Sequence, residues 1–131
     1  MVVADSSAFV EVLVDSPKAS IVRHALAGQQ IHAPDLISFE VLSAIRGHVR
    51  GAKLTPSQGI AAMLSFESIE ERLELWPLLD VMTERAIELR HNVSPYDVTY
   101  VTLAQILPCP LVTADAKLGR AVGDVIDVIV V

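Results

Sequence analysis

The stretch MVVADSSAFVEVLVD, residues 1–15, decides how the rest of the chain is read. A short apolar run, Val2 to Ala4, stops at Asp5; Ser6 and Ser7 follow, and apolar residues resume through Val14. A short apolar run, a polar interruption and a longer apolar-rich segment read as strand, turn and helix. The helix is expected to be capped by Ser6 or Ser7. Asp5 then lies at the carboxyl end of the strand, where it could also be a cap, although the two serines compete for that role.

The same order recurs near the other end. PLVTA, residues 110–114, reads as a strand, Asp115 follows it, and DAKLGRAV continues as a short helix. Asp115 too could be a cap, with Thr113 as the rival. Between these ends, DSPKASIVRHALAG reads as a helix with Pro17 near its first turn and Gly28 as its stop, and QQIHA as a brief strand. A long helix is expected over 35–50, ended by Gly51. TPSQ at 55–58 is a capping box that opens a helix to about Phe66. RLELW alternates and is expected to be a strand, MTERAIELRHN is helical, Ser94 and Pro95 open another helix, and VIDVIVV is the last strand.

Strands alternating with helices predict an α/β fold, a three-layer α/β/α arrangement around a mostly parallel central sheet. The 131 residues fit one domain, with no linker, repeat or low-complexity tract to divide them. The core is expected to be aliphatic, since 52% of residues are hydrophobic and only 5% aromatic. The opening segment lacks a basic leader and is broken by Asp5 and Glu11, so it reads as neither a signal peptide nor a membrane span. The single Cys109 has no partner for a disulfide and no ligand spacing, and is expected to be a buried structural thiol in a reducing, cytoplasmic setting. A net charge of −6 argues against a polyanionic partner.

In parallel α/β folds the loops at the carboxyl ends of the strands form the ligand crevice. Asp5 and Asp115 are placed there. Two further acids are in awkward company. Glu40 shares its helical face with Leu36, Ile37, Ser43, Ala44 and Gly47, all apolar or small. Asp97, in NVSPYDVTYVTLAQ, shares its face with Val101 and Ala104, although as the third residue of its helix it could also fold back on the Ser94 cap. Two carboxylates about 4 Å apart repel by about 4 kcal/mol at an effective dielectric near 20, so four that converge could not all stay ionised without a cation. Oxygen donors without His or Cys select Mg²⁺ or Mn²⁺.

Four segments carry a resemblance: VVADSSA, APDLISFEVLSAIRG, SPYDVTYVTLA and LVTADAKL, in that order and across essentially the whole chain. In these the sequence resembles the PIN-domain ribonucleases, specifically the VapC-type toxins of bacterial toxin–antitoxin pairs. The resemblance implies that Asp5, Glu40, Asp97 and Asp115 form an acidic site for Mg²⁺ or Mn²⁺, with the hydroxyls of Ser7 and Thr113 orienting carboxylates or the substrate phosphate. It implies cleavage of RNA by in-line attack of a metal-activated water, a homodimer, and silencing by a cognate antitoxin. No fifth acid is carried over, because AKLGR follows Asp115. Two divalent ions would still leave the chain net negative, so RNA must be met by local basic groups such as Arg46, Arg50 and Lys53; these equally suit a solvated helix end. His24, His32, His48 and His91 read as surface or packing residues, and Tyr96 and Tyr100 as core or helix-face residues rather than a base-stacking platform.

Two other classes of protein share part of this pattern. A phosphoacceptor signalling domain shares the architecture and a Mg²⁺-binding acid cluster, but normally has adjacent acids after its first strand, where Ser6 stands here. A non-catalytic binding module of the same fold would have to carry four converging charges with no cation to offset them.

Overall fold

The computed structural model describes residues 1–131. Five short strands, β1 (Val2–Ala4), β2 (Ile31–Pro34), β3 (Glu74–Trp76), β4 (Leu111–Thr113) and β5 (Val128–Val130), form one sheet in the order β3-β2-β1-β4-β5. Every neighbouring pair is parallel, with Val3 opposite both His32 of β2 and Leu111 of β4. Parallel neighbours require crossovers, and seven helices supply them: α1 (Ser6–Leu13), α2 (Ala19–Leu26), α3 (Ile37–Arg50), α4 (Pro56–Glu70), α5 (Asp80–Glu88), α6 (Pro95–Ile106) and α7 (Ala116–Val122). The result is the expected α/β/α architecture.

Strand order locates the crevice. From β1 the chain steps outward through β2 and β3, then returns to the other side of β1 with β4 and β5. The direction of winding therefore reverses between β1 and β4, and ligands of open parallel sheets bind outside the carboxyl ends at such a switch point. β1 and β4 are buried along their whole length, whereas the edge strands β3 and β5 are partly exposed.

The core is a cluster of 22 buried residues, among them Val3, Ala4, Phe9, Phe66, Tyr100 and Leu103. α6 lies across β1, β2 and β4, with α5 beside it, and Val98 through Ala104 are all buried. The residues of the predicted apolar face, Val101 and Ala104, are thus buried, as are those on the other faces of this segment. α1 packs against α2, α3 and α4, where Phe9 meets Phe66 edge to face at 5.8 Å. The edge strand β3 is tied to β2 by Trp76, whose Nε1–H donates to His32 Nδ1 at 3.0 Å. That bond places the His32 proton on Nε2, which is buried without a partner.

Local chemistry explains most element ends. Thr55 Oγ1 accepts from the Gln58 N–H at 3.2 Å and Gln58 Oε1 from the Thr55 N–H at 2.9 Å, the expected capping box. Gly28, with φ of 70°, follows the end of α2 in the left-handed region that suits glycine. The structure departs from the sequence pattern in four places. Pro17 lies outside α2, which begins at Ala19. α4 continues past Phe66 to Glu70, because Glu67–Glu70 contains no breaker. Only Glu74–Trp76 of RLELW is strand, Arg72 and Leu73 closing a turn by bonds to Ile69 and Glu70. Cys109 is half-buried rather than buried, and desolvation raises its thiol pKa.

Two helical glycines separate propensity from packing. A Cβ at Gly119 of α7 would stand 2.5 Å from Val130 Cγ2 of β5, whereas one at Gly47 of α3 would meet nothing within 4 Å. Helix propensity favours alanine at either by up to about 1 kcal/mol, but overpacking costs about 1–3 kcal/mol. Denaturant unfolding should therefore show Gly47→Ala more stable than the parent and Gly119→Ala less stable. Equal effects at the two positions would mean that α7 and β5 are not packed this closely.

Candidate active site

All four acids are carried in the first turn of a helix. Asp5 caps α1, its Oδ1 accepting from the Ala8 N–H at 3.2 Å; Asp115 caps α7, accepting from Lys117 and Leu118 at 2.9 and 3.1 Å. Glu40 and Asp97 stand in the first turns of α3 and α6. Neither Ser6 nor Ser7 caps α1, and Thr113 does not cap α7, which corrects the competition expected between them. The serine and threonine hydroxyls are used elsewhere.

Asp5 is the best-held carboxylate. Ser7 Oγ donates to its Oδ1 at 2.6 Å and Thr113 Oγ1 to its Oδ2 at 2.5 Å. Each hydroxyl has one proton, so with both given to Asp5 the 3.2 Å approach of Ser7 Oγ to Thr113 Oγ1 is proximity alone. Their lone pairs accept in turn: Ser7 Oγ from the Ala114 N–H at 2.9 Å, Thr113 Oγ1 from the Asp115 N–H at 3.0 Å. The carboxylate after β1 and the turn after β4 are thereby sewn together across the switch point.

Glu40 is positioned from α6. The hydroxyl of Tyr100, whose side chain is fully buried, donates to Glu40 Oε1 at 2.5 Å. Both burial and the neighbouring carboxylate push the Tyr100 pKa upward, so the phenol keeps its proton and remains a donor. Ser94 accepts from the Asp97 N–H at 3.1 Å, so the capping geometry expected there exists alongside any other role of Asp97.

The acids feel one another. Burial raises the pKa of Asp5, and the charge of Asp97 adds to it against three hydrogen bonds that lower it. Burial likewise raises Glu40, with Asp97 and Asp5 contributing, and raises Asp97, with Asp115 contributing. Asp97 is thus coupled to each of the other three. The carboxylates nevertheless do not close on a point: no three Asp, Glu, His or Cys side chains are grouped tightly enough to enclose an ion. An open set of hard oxygens fits a cation such as Mg²⁺, which retains waters and takes only one or two carboxylates directly.

Two hollows flank the set. One, of about 230 Å³, is lined by Ser94, Asp97, Asp115 and Lys117; the other, of about 480 Å³, by Ser6, Phe39, Glu40, Ser43 and Tyr96 among others. The nearest cations differ from those expected. Lys117 lines the first hollow, and Lys18 reaches 3.5 Å from the Ala114 carbonyl beside Asp115. Arg46, Arg50 and Lys53 are exposed and free of ion pairs, but the rise of α3 separates Arg50 from Glu40 by about 15 Å, and the structure does not bring the three to the acids. Tyr100 was visible in outline, being three residues beyond Asp97 on the same helical face; the lysines carried no comparable signal.

A doubly wound parallel sheet with four helix-borne acids at its switch point defines a class in which a few carboxylates, rather than a nucleotide-binding loop, make the site. The chain belongs to the PIN-domain family, whose model matches residues 2–123. Its relatives are VapC ribonucleases. Ribonuclease VapC12 of Mycobacterium tuberculosis is 36% identical over 123 residues, covering 94% of this chain and 93% of the relative. Ribonuclease VapC9 of the same organism is 33% identical over 119 residues, covering 91% and 89%. Among solved structures, PAE2754 from Pyrobaculum aerophilum has a TM-score of 0.67 at 20% identity over 92% of this chain and 83% of its own. Mycobacterium tuberculosis VapC20, described as a sarcin-ricin loop cleaving toxin, has a TM-score of 0.68 at 13% identity, covering 92% and 95%. The two structures support the fold.

The acid set makes a prediction about pH. Raised folded-state values mean that the folded protein retains protons which the unfolded chain has lost, so stability falls as pH rises above the ordinary values of 3.8 for Asp5 and Asp97 and 4.5 for Glu40. Asn at position 97 removes the charge common to Asp5 and Glu40. In EDTA, the thermal midpoint of Asp97→Asn should exceed the parent's at neutral pH, and the gap should narrow on acidification. A gap independent of pH would show that the carboxylates are not coupled.

Proposed function

We propose that this chain is a metal-dependent endoribonuclease, the toxin of a toxin–antitoxin pair, hydrolysing RNA phosphodiester bonds with Mg²⁺ or Mn²⁺. The observation that carries the reading is the nearness of Asp5, Glu40, Asp97 and Asp115 around the switch point, an open set in which Asp97 is coupled to the other three. The names of the relatives supply the substrate class. One core and a family match over 2–123 support treating residues 1–131 as a single nuclease domain.

Asp5, Asp97 and Asp115 would hold the ion most directly. When bound, a divalent ion neutralises carboxylate charge and makes water a better nucleophile near neutral pH. The chain's own groups do the positioning. Ser7 and Thr113 spend their protons on Asp5 and so fix its carboxylate and lower its proton affinity against the larger effect of burial. Glu40 has Oε1 held by Tyr100, which leaves Oε2 to complete the acidic set or to orient the attacking water.

Lys18 and Lys117 supply local positive charge for phosphate near the acids, with Arg46, Arg50 and Lys53 as an outlying patch. Ile21 of α2 and Ile60 and Leu64 of α4 are more than half exposed, and this apolar surface supports a homodimer or a cognate antitoxin as a further partner. No helix is long and apolar enough to cross a membrane.

RNA cleavage by the purified protein should require Mg²⁺ or Mn²⁺, stop in EDTA, and fall by about 10³-fold or more in Asp97→Asn, the expected scale for loss of a central electrostatic element. A folded variant that cuts at the parent's rate would overturn the assignment. A titration of Mg²⁺ followed by thermal denaturation separates this reading from a non-catalytic binding module of the same fold. At 100 times its dissociation constant a bound ion adds about 2.7 kcal/mol of stability, and Asp97→Asn should lose most of that gain.

A further inference from the structure

The chain has six aromatic residues: Phe9, Phe39, Phe66, Trp76, Tyr96 and Tyr100. Phe9, Phe66 and Tyr100 are buried in the core, and Trp76 is half-buried, tying β3 to β2. Phe39 and Tyr96 alone are exposed, at 76% and 61%. Both line the same groove, of about 480 Å³, with Glu40 and Ser6. Each also immediately precedes an acid of the site, Phe39 before Glu40 on α3 and Tyr96 before Asp97 on α6. Neighbours on a helix diverge by about 100°, so each ring stands beside its acid rather than over it.

Packing explains neither exposed ring. Burying an aromatic side chain is worth several kcal/mol, and the core uses its other aromatics in that way. Here the helix that carries the most deeply buried segment of the chain, α6, presents Tyr96 to solvent in its first turn, and α3 presents Phe39 in its own. The groove between them opens at Glu40. A phosphodiester held at the acids has a nucleotide on each side, and an unpaired base has a flat apolar face that needs covering. Every base has such a face, so aromatic rings can grip a strand irrespective of its sequence. A net charge of −6 leaves little long-range attraction for RNA, which makes contacts that do not depend on charge the more useful ones.

We infer that Phe39 and Tyr96 are base-stacking residues, holding an unpaired nucleobase adjacent to the scissile phosphate and so setting the register of the RNA on the acids. The inference rests on the ribonuclease reading. It changes the expectation drawn from sequence, in which Tyr96 was a core or helix-face residue. The neighbouring apolar hollow of about 340 Å³, which Leu36 and Tyr96 also line with Leu78 and Met82, continues the wall away from Glu40.

The test pairs substitutions in the protein with removal of a base from the substrate. A short single-stranded RNA with one known cleavage site is prepared intact and with an abasic residue on either side of the scissile phosphate. The parent should lose about 10-fold or more in kcat/KM at one abasic position. Phe39→Leu and Tyr96→Leu, which keep apolar area but lose the ring, should each cut the intact RNA about 10-fold more slowly and show little further loss on the abasic one. Tyr96→Phe, which keeps the ring, should retain the abasic penalty that Tyr96→Leu loses. As a readout that needs no turnover, 2-aminopurine at the same position should be quenched on binding to Asp97→Asn, and less so when Phe39→Leu is added. Both rings are exposed, so unchanged thermal midpoints are expected and confirm folding.

Additive losses, with the abasic penalty intact in Phe39→Leu and Tyr96→Leu, would overturn the stacking role while leaving the nuclease standing. So would variants that cleave as the parent but lose their hold on a protein inhibitor, since the surface would then be a protein-docking one. A parent that neither binds nor cleaves RNA with Mg²⁺ or Mn²⁺ would overturn the ribonuclease reading itself, and the stacking with it.

Discussion

Four negative charges gathered at one edge of a sheet are the constraint to which the rest of the molecule responds. A pair of carboxylates about 4 Å apart costs about 4 kcal/mol at an effective dielectric near 20. Each of the four is borne by the first turn of a different helix, where the backbone dipole favours an anion. That help is worth only about 0.3–1 kcal/mol per helix at exposed positions. The dipoles ease the crowding without cancelling it, and the raised proton affinities of Asp5, Glu40 and Asp97 are what remains.

Keeping the acids together falls to the two most buried parts of the structure. β1 and β4 lie side by side at the centre of the sheet, and the Ser7 and Thr113 hydroxyls join their carboxyl ends through Asp5. α6 presses seven consecutive buried residues over the same strands and sends Tyr100 to Glu40 on α3. The sheet thus fixes two acids and the helical layer the other two. With strands of only three or four residues, the side-chain bonds across the switch point add to the few backbone bonds that join β1 and β4.

Much of this was legible in the residues. Alternating Val- and Leu-rich runs and helical segments announced a parallel α/β fold, and Glu40 and Asp97 betrayed themselves because a carboxylate on an apolar face contradicts the pattern around it. The cap identities were not legible. Asp, Ser and Thr are near-equal N-caps, and only the long-range demand of Asp5 for protons removed Ser7 and Thr113 from competition. Strand order was equally hidden, since three-residue runs of Val, Leu and Ala carry no mark of their neighbours. Lys18 and Lys117 came to the site through folding of segments far apart in sequence, whereas Arg46, Arg50 and Lys53 looked suitable only because they are adjacent in the chain.

The bond from Thr113 to Asp5 joins residues 108 positions apart in sequence. A chain emerging from the ribosome presents Asp5 long before the hydroxyl that steadies it and the last acid of the set, Asp115. Until those residues are made, the growing chain holds three of the acids, with Asp5 lacking one of its two hydroxyl donors. For a protein proposed to cut RNA, the machinery translating it is the nearest RNA of all, and the wiring of the site postpones its completion until β4 and the turn after it have been made.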